Sequence, residues 1–180
     1  MRKATSPTAG SLGTGICRSF WIEDRWRLPI STSASVIAHV VNFWFNHVSF
    51  RQEAKKTPED HAASVAQPVK TQSLVFTHHD LAPRNLMVDT KGLLWLVDWD
   101  FAGWYPPYFE AAAMHTFTPP DTWGRFAQYR WNLFAWIAAG WYETERRILF
   151  SAQRKSIRFP AARRFNIKAG VTPSPRSVDD

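Results

Sequence analysis

FTHHDLAPRNLMVDTKGLLWLVDWD, residues 76–100, is the stretch of the sequence that decides the fold. Within it, residues 86–88 and 93–97 are short runs rich in strand-forming side chains, and the DTKG segment at 89–92 between them is typical of a turn. A third run of this kind, residues 74–77, leads into the two histidines. We therefore predict a strand followed by a small β hairpin.

The hairpin predicts a cation site at its open end. A register that pairs Val88 with Trp95 places Asn85 opposite Asp98, and opposed residues project from the same face of a sheet. An amide oxygen and a carboxylate side by side are hard ligands that leave room for water and phosphate oxygens. Magnesium is the cation that this pair of ligands suits.

A second feature is the spacing His78-x-Asp80-x-x-x-x-Asn85. Asp80 is placed at the rim of the predicted cation site, where it can accept the proton of an attacking hydroxyl group. We assign His78 to a scaffold role, with its imidazole bonded to nearby backbone, because a base is already provided. This spacing is that of a phosphoryl-transfer catalytic loop.

Residues 76–110 resemble the aminoglycoside phosphotransferase and choline kinase group of the protein-kinase-like fold, in which this loop is followed by a D-x-D or D-x-E motif. Asp98-Trp99-Asp100 matches that motif. The resemblance implies that Asp80 is the catalytic base, that Asn85 and Asp98 bind Mg²⁺, and that ATP phosphorylates a small-molecule alcohol. It also implies supporting roles for Asp100 and for Glu110, which would anchor the loop.

The same resemblance calls for an N-terminal lobe with a glycine-rich loop, a strand lysine and a helix glutamate. Only 77 residues precede His78, and the glycines of residues 10–15 have the reverse spacing. The expected fold is therefore α+β and mainly α-helical: a kinase-like C-terminal lobe at residues 1–150, with its catalytic segment at 74–110 and no N-terminal lobe. A truncated chain of this kind leaves a catalytically inactive binding remnant as an alternative to an enzyme.

The segments before the decisive stretch predict one helix. Residues 1–35 show no sustained periodicity, so we expect irregular structure around Phe20, Trp21 and Trp26. Ser33 or Ser35 can cap a helix that follows. Residues 51–72 are polar and contain prolines, which indicates a long loop with a short helix from Pro58. The apolar face of the predicted helix consists of Val36, Val40, Trp44 and Val48.

The segments after the decisive stretch predict a loop, helices and a tail. Residues 101–120 contain two Pro-Pro pairs, so we expect a loop with short turns. Asp121 or Thr122 can cap the next helix, and a second helical stretch extends to about Gln153. Residues 151–180 are basic and then rich in serine and proline, which favours a disordered tail. The apolar face expected for the first of these helices includes Phe126, Phe134, Ile137, Ala138 and Trp141.

Composition limits the partners and the compartment. Hydrophobic residues make up 45% of the chain and charged residues 21%, which is ordinary globular usage, and the longest dense apolar run, residues 133–142, is half a membrane span. We expect no membrane partner and a cytoplasmic location. Most of the net charge of +7 lies between Arg154 and Lys168. These residues could contact nucleic-acid phosphates, but a solvated extension is the favoured interpretation, so nucleic acid is not an expected partner.

Three further interpretations concern possible ligands: a zinc or iron ion, an aminoglycoside and a quaternary ammonium group. A metallohydrolase could use His78, His79, Asp80 and Asp98 as zinc or iron ligands, although adjacent histidines on a strand point to opposite faces. Few acidic residues follow the D-x-D motif, so the chain offers little to a polycationic aminoglycoside. Aromatic rings could surround a quaternary ammonium group, with core packing as the favoured role of each. These rings belong to Trp104, Tyr105, Trp123 and Trp131.

Overall fold

The structure is a computed structural model that describes residues 4–22, 28, 30–48, 55, 57 and 68–158. Its class is α+β, as predicted, with more residues in helices than in strands. The helices are α1 (Ala34–Asn46), α2 (Pro107–Thr116), α3 (Arg125–Ala139) and α4 (Glu143–Arg158), with a 3₁₀ turn at Pro83–Asn85. The strands are β1 (Thr5–Ser6), β2 (Thr8–Ser11), β3 (Thr32–Ser33), β4 (Leu74–Thr77), β5 (Leu86–Val88), β6 (Leu94–Leu96) and β7 (Gly103–Tyr105).

Helix α1 confirms the predicted cap and most of the predicted face. The hydroxyl of Ser33 accepts a hydrogen bond from the backbone N–H of Val36 at 3.4 Å. Val40 and Trp44 are buried in the main core, whereas Val48 lies beyond the end of the helix. The predicted helix from Pro58 lies outside the described residues, as does Trp26.

The N-terminal segment is not the irregular structure that we expected. Strands β1, β2 and β3 join β4 and β7 in a five-stranded antiparallel sheet with the order β1-β4-β7-β2-β3. These strands are too short to show an alternating pattern, which is why the sequence did not reveal them. Side chains of this segment also enter the main core, namely Ala9, Trp21, Ile22 and Leu28.

Gly103 allows β7 to approach β2, and Gly10 allows β2 to approach the turn at Gly15. A Cβ atom on Gly103 would lie 2.4 Å from the carbonyl oxygen of Gly10, and a Cβ atom on Gly10 would lie 2.2 Å from the carbonyl oxygen of Gly15. Gly10 also has a φ of +128°, which side-chain-bearing residues rarely adopt. The sheet that holds the decisive stretch therefore depends on these two glycines.

The expectation of a loop at residues 101–120 is wrong for residues 103–105 and 107–116. Strand β7 is followed by α2, in which Pro107 occupies the first helical position. A proline is tolerated there because the missing N–H has no partner inside the helix. The Pro-Pro pair therefore starts a helix, and Tyr108, Phe109 and Met114 of α2 are fully buried.

Helix α3 exists as predicted, but its cap and its buried face differ from the prediction. Gly124, rather than Asp121 or Thr122, is the residue at the N-cap. Phe126 and Ile137 are each 74% exposed, whereas Trp131, Ala135 and Ala139 are buried. The buried face of α3 therefore combines one large side chain, Trp131, with two small ones, and Phe126 and Ile137 face outward. Trp141, beyond the end of the helix, is 70% exposed.

Helix α4 crosses the expected domain boundary at residue 150. Residues 151–158 belong to the helix, so the expected disordered tail is wrong for these eight residues, and residues 159–180 lie outside the described part. Lys155 donates to the backbone carbonyl of Phe45, and α4 packs against α1 and α2. Among the helices that the structure describes, none is long and apolar enough to cross a bilayer.

Candidate functional site

The hairpin forms as predicted, but its register is shifted by one residue. Met87 pairs with Trp95, and the backbone N–H of Val97 donates to the carbonyl of Asn85 at 3.1 Å. Asn85 therefore lies opposite Val97 and not opposite Asp98. The paired alignment that we predicted for Asn85 and Asp98 is wrong.

The turn explains the shift. Asp89 and Leu93 close a three-residue loop, in which Gly92 has a φ of +80°. A left-handed glycine at the end of a three-residue loop is a common hairpin geometry, whereas the predicted register needs an even number of residues in the loop. The carboxylate of Asp89 accepts from the indole Nε1–H of Trp95 at 2.9 Å and from the backbone N–H groups of Lys91 and Leu93. These hydrogen bonds lower the pKa of Asp89, with the one from Trp95 as the largest cause.

The loop from His78 to Asn85 places the predicted base next to the predicted amide ligand. The Nδ2 group of Asn85 donates to the backbone carbonyl of Asp80 at 2.7 Å and to its Oδ2 at 3.1 Å. The 3₁₀ turn makes this contact possible because it folds Asn85 back over the loop. Asn85 is buried, whereas Asp80 remains partly exposed and open to a ligand.

A contact that sequence reasoning missed occupies the other oxygen of Asp80. The guanidinium group of Arg84 donates through Nη2 to Asp80 Oδ1 at 2.5 Å. The four-residue spacing of the two side chains was visible in the sequence, but it is an informative signal only on a helical turn. Asp80 thus has a different donor on each carboxylate oxygen.

His78 lies behind this loop. Its imidazole is buried and donates through Nε2 to the backbone carbonyl of Val97 at 3.0 Å. This bond ties the start of the loop to the second strand of the hairpin. Burial lowers the pKa of His78, while the charges of Asp80 and Asp98 act in the opposite direction. The carbonyl that accepts the bond from His78 belongs to Val97, which directly precedes Asp98.

Asp98 leaves the hairpin ladder in an unusual conformation. Its φ of +67° lies in the left-handed region, which aspartate tolerates better than most residues do. Such a conformation costs on the order of 1–3 kcal/mol and is concentrated at functional sites. Asp98 is exposed, and Asp100 is also exposed two residues later. The structure thus brings Asp80, Asn85 and Asp98 to the region around His78, and none of the described contacts brings Asp100 into this group.

Glu110, in the first turn of α2, contacts the loop from behind. Its Oε2 atom accepts the backbone N–H groups of His78 at 2.5 Å and of His79 at 3.2 Å. Burial raises the pKa of Glu110, although the hydrogen bonds from His79, His78 and Leu81 act to lower it. The two N–H groups converge on one oxygen because His79 has a φ of +74°. Glu110 therefore connects α2 directly to the loop.

His79 is part of the core and not of a metal centre. It is fully buried, with Nε2 2.7 Å from the hydroxyl of Ser19 and Nδ1 3.5 Å from that of Thr77. Burial lowers its pKa from 6.5 to about 3, so the ring is neutral. Within the described ranges, no three His, Cys, Asp or Glu side chains converge to hold a metal ion. The metallohydrolase ligand set is therefore not assembled.

The aromatic residues considered for a quaternary ammonium group pack in the protein interior. Tyr105 is fully buried in the main core, where its hydroxyl donates to the carbonyl of Arg18 at 2.8 Å. Trp104 packs against the same core, whereas Trp123 and Trp131 belong to a second cluster beneath α3. The four rings lie in two separate clusters and do not form a cage.

Comparison with known proteins identifies a family for this chain. The model of one family, described as the phosphotransferase enzyme family, matches residues 41–147, which is more than half of the chain. The match includes the loop, the hairpin and Glu110. No curated protein and no solved structure matches the chain. The chain therefore belongs to the phosphotransferase enzyme family.

Proposed function

We propose that the chain is a phosphotransferase domain that uses ATP and Mg²⁺ to phosphorylate a hydroxyl group of a small molecule, with Asp80 as the general base. The observation that carries this proposal is the contact of Asp80 with Asn85, next to Val97, which bonds both His78 and Asn85 and directly precedes Asp98. Membership of the phosphotransferase family supports the reaction class.

The donor set fits a magnesium ion. Because the Nδ2 group of Asn85 is directed to Asp80, its Oδ1 atom is the part of the amide that can face a cation. The left-handed backbone of Asp98 turns its exposed carboxylate out of the hairpin ladder. Magnesium is usually held by one or two protein ligands together with phosphate oxygens, so a third acidic ligand is not required. When bound, the ion would neutralise the negative charge on the phosphates.

The remaining residues hold the base in place. Glu110 fixes the backbone of His78 and His79, and the imidazole of His78 ties this segment to the hairpin. The loop is thereby bonded on two sides before a substrate arrives. Prior positioning is the main contribution that a protein makes to phosphoryl transfer.

Two of the acidic residues after the D-x-D motif argue against a polycationic acceptor. Glu110 is committed to the loop, and Glu143 is paired with Arg146 at 2.8 Å and with Arg147 at 2.7 Å. A polycationic acceptor would need free carboxylates around the base. We therefore propose an uncharged or singly charged alcohol as the phosphate acceptor.

Isothermal titration of the full chain with ATP and Mg²⁺ tests the proposal. We expect binding that requires Mg²⁺ and that is weakened at least tenfold by Asp98→Asn. Asp121→Asn, at an exposed aspartate before α3, is the matched control and should bind like the wild type. No binding by the wild type at millimolar ligand, or equal binding by Asp98→Asn, would contradict the proposal.

Turnover separates an enzyme from an inactive binding remnant. ADP formation is measured with pools of small alcohols as acceptors, with Asp80→Asn as the comparison. We expect the wild type to form ADP with at least one pool and Asp80→Asn to lose at least a hundredfold in kcat. Nucleotide binding without any turnover would instead identify the chain as a binding remnant.

A further inference from the structure

We propose that Arg84 binds the phosphoryl group that is transferred, and that it releases Asp80 when it does so. This inference rests on the proposed function, since it assigns Arg84 to the terminal phosphate of ATP. It begins from the ion pair between Arg84 and Asp80, which none of the other proposed roles explains.

The ion pair conflicts with the role of Asp80 as a base. One carboxylate oxygen accepts from Arg84 at 2.5 Å and the other from Asn85 at 3.1 Å. A base needs an oxygen within hydrogen-bond reach of the hydroxyl from which it takes a proton. Each oxygen keeps a second lone pair, so Arg84 does not exclude the hydroxyl outright, but it competes with the hydroxyl for Oδ1.

Arg84 is the donor that can move. Its side chain is 57% exposed, whereas Asn85 is only 4% exposed and also donates to the backbone carbonyl of Asp80. Ion pairs between partly exposed side chains are weak, because water solvates both partners. The structure thus pairs the base with one fixed donor and one mobile donor.

A terminal phosphate is a stronger partner for Arg84 than the carboxylate is. It carries more negative charge and offers oxygens that match the guanidinium fork. Arg84 and Asn85 both donate to the carboxylate of Asp80, so a phosphate bound beside this carboxylate would lie within reach of Arg84. Transfer of Arg84 to the phosphate frees Oδ1 of Asp80 at the moment when a reactive phosphate is present.

The reaction then proceeds with all atoms accounted for. The hydroxyl oxygen of the acceptor forms a bond to the terminal phosphorus, and the bond from that phosphorus to the bridging oxygen breaks, leaving its electron pair on ADP. The hydroxyl proton passes to Oδ1 of Asp80. Arg84 stays protonated throughout and neutralises charge on the transferred group.

The test compares the affinities of the full chain for Mg·ATP and Mg·ADP, measured by isothermal titration. We expect the wild type to bind Mg·ATP more tightly than Mg·ADP. Arg84→Gln should bind Mg·ATP roughly tenfold more weakly than the wild type does, which corresponds to the loss of one charged hydrogen bond. Its affinity for Mg·ADP should change little. Arg84→Lys should recover part of the preference for Mg·ATP. Arg147→Gln, in the exposed pair with Glu143, is the matched control for the loss of one positive charge.

The outcomes distinguish this inference from the proposed function. Suppose that Asp98→Asn weakens the binding of both nucleotides, while Arg84→Gln changes the affinity for neither or changes both equally. The role of Arg84 is then refuted and the proposed function stands. The role of Arg84 would also be refuted if Arg84→Gln bound Mg·ATP more tightly than the wild type does, because the arginine would then only block the site. If the wild type binds neither nucleotide, both proposals are refuted.

Discussion

The Oε2 atom of Glu110 lies 2.5 Å from the backbone nitrogen of His78 and accepts its hydrogen bond, although the two residues are 32 positions apart in the chain. The same oxygen accepts from His79, so one carboxylate satisfies two consecutive N–H groups. This atom is a direct polar connection between helix α2 and the loop that carries Asp80. Five predictions about the fold follow, and the first two concern Glu110 itself.

Replacing Glu110 by alanine should destabilise the protein by about 1–3 kcal/mol for each N–H group left without an acceptor. Glu110→Gln retains an acceptor oxygen and should lose less. Urea denaturation of both variants measures the difference. Equal stability of Glu110→Ala and the wild type would show that the hydrogen bonds at this position do not hold the loop.

The pKa of Glu110 also predicts a pH dependence. Since burial raises this pKa above its ordinary value of 4.5, the folded state binds a proton more readily than the unfolded state does. The wild type should therefore lose stability relative to Glu110→Gln as the pH rises from 4.5 through the raised pKa, and the difference should level off above it. Urea midpoints across this range test the prediction, with Glu145→Gln as the control. Parallel curves for the wild type and Glu110→Gln would contradict it.

The lowered pKa of His79 predicts that stability depends on pH in the opposite direction at lower pH. Burial lowers its pKa from 6.5 to about 3. Between these two pH values the unfolded chain binds a proton at His79 that the folded chain does not bind. This contribution to stability is complete above 6.5 and is lost as the pH falls toward 3, with a limiting slope of about 1.4 kcal/mol per pH unit. His79→Gln should reduce this slope, whereas His39→Gln, at an exposed position of α1, should keep it. A slope unchanged in His79→Gln would refute the assignment.

Gly103→Ala should destabilise the five-stranded sheet. The added Cβ would lie 2.4 Å from a backbone oxygen, which only a movement of the strands can relieve. We expect a loss of about 1–3 kcal/mol, or about 2–4 °C in Tm for each kcal/mol. Gly13→Ala is the matched control, because a Cβ at that position meets nothing within 4 Å. A Tm for Gly103→Ala equal to that of Gly13→Ala would mean that β2 and β7 are not this close.

Substitutions on α3 test which of its faces is buried. Ala135→Leu inserts a large side chain at a fully buried position and should destabilise the protein by about 1–3 kcal/mol. Ile137→Gln changes a residue that is 74% exposed and should alter stability by no more than about 0.5 kcal/mol. Thermal denaturation of the two variants decides between this face and the one expected from the sequence. The reverse ranking would show that Ile137 belongs to the core.

Features formed by neighbouring residues could be predicted from the sequence. The Ser33 cap of α1 depends on the next three residues, and the hairpin depends on two apolar runs around a turn. The register of the hairpin was predicted one residue off because the pattern does not show that Gly92 takes a left-handed conformation and lengthens the loop. The spacing of Asp80 and Asn85 was sufficient to predict that these two residues lie together.

The sequence by itself determined the family-defining loop, its hairpin and the helix that precedes them, because local spacing and capping encode each of these. Only the tertiary structure decided what surrounds the loop. Ser19 reaches His79 from 60 positions away, and Glu110 reaches His78 across 32. The buried face of α3 is likewise set by the neighbours that its alanines approach. Such contacts depend on how distant segments pack together, and no pattern within a short window of sequence records that packing.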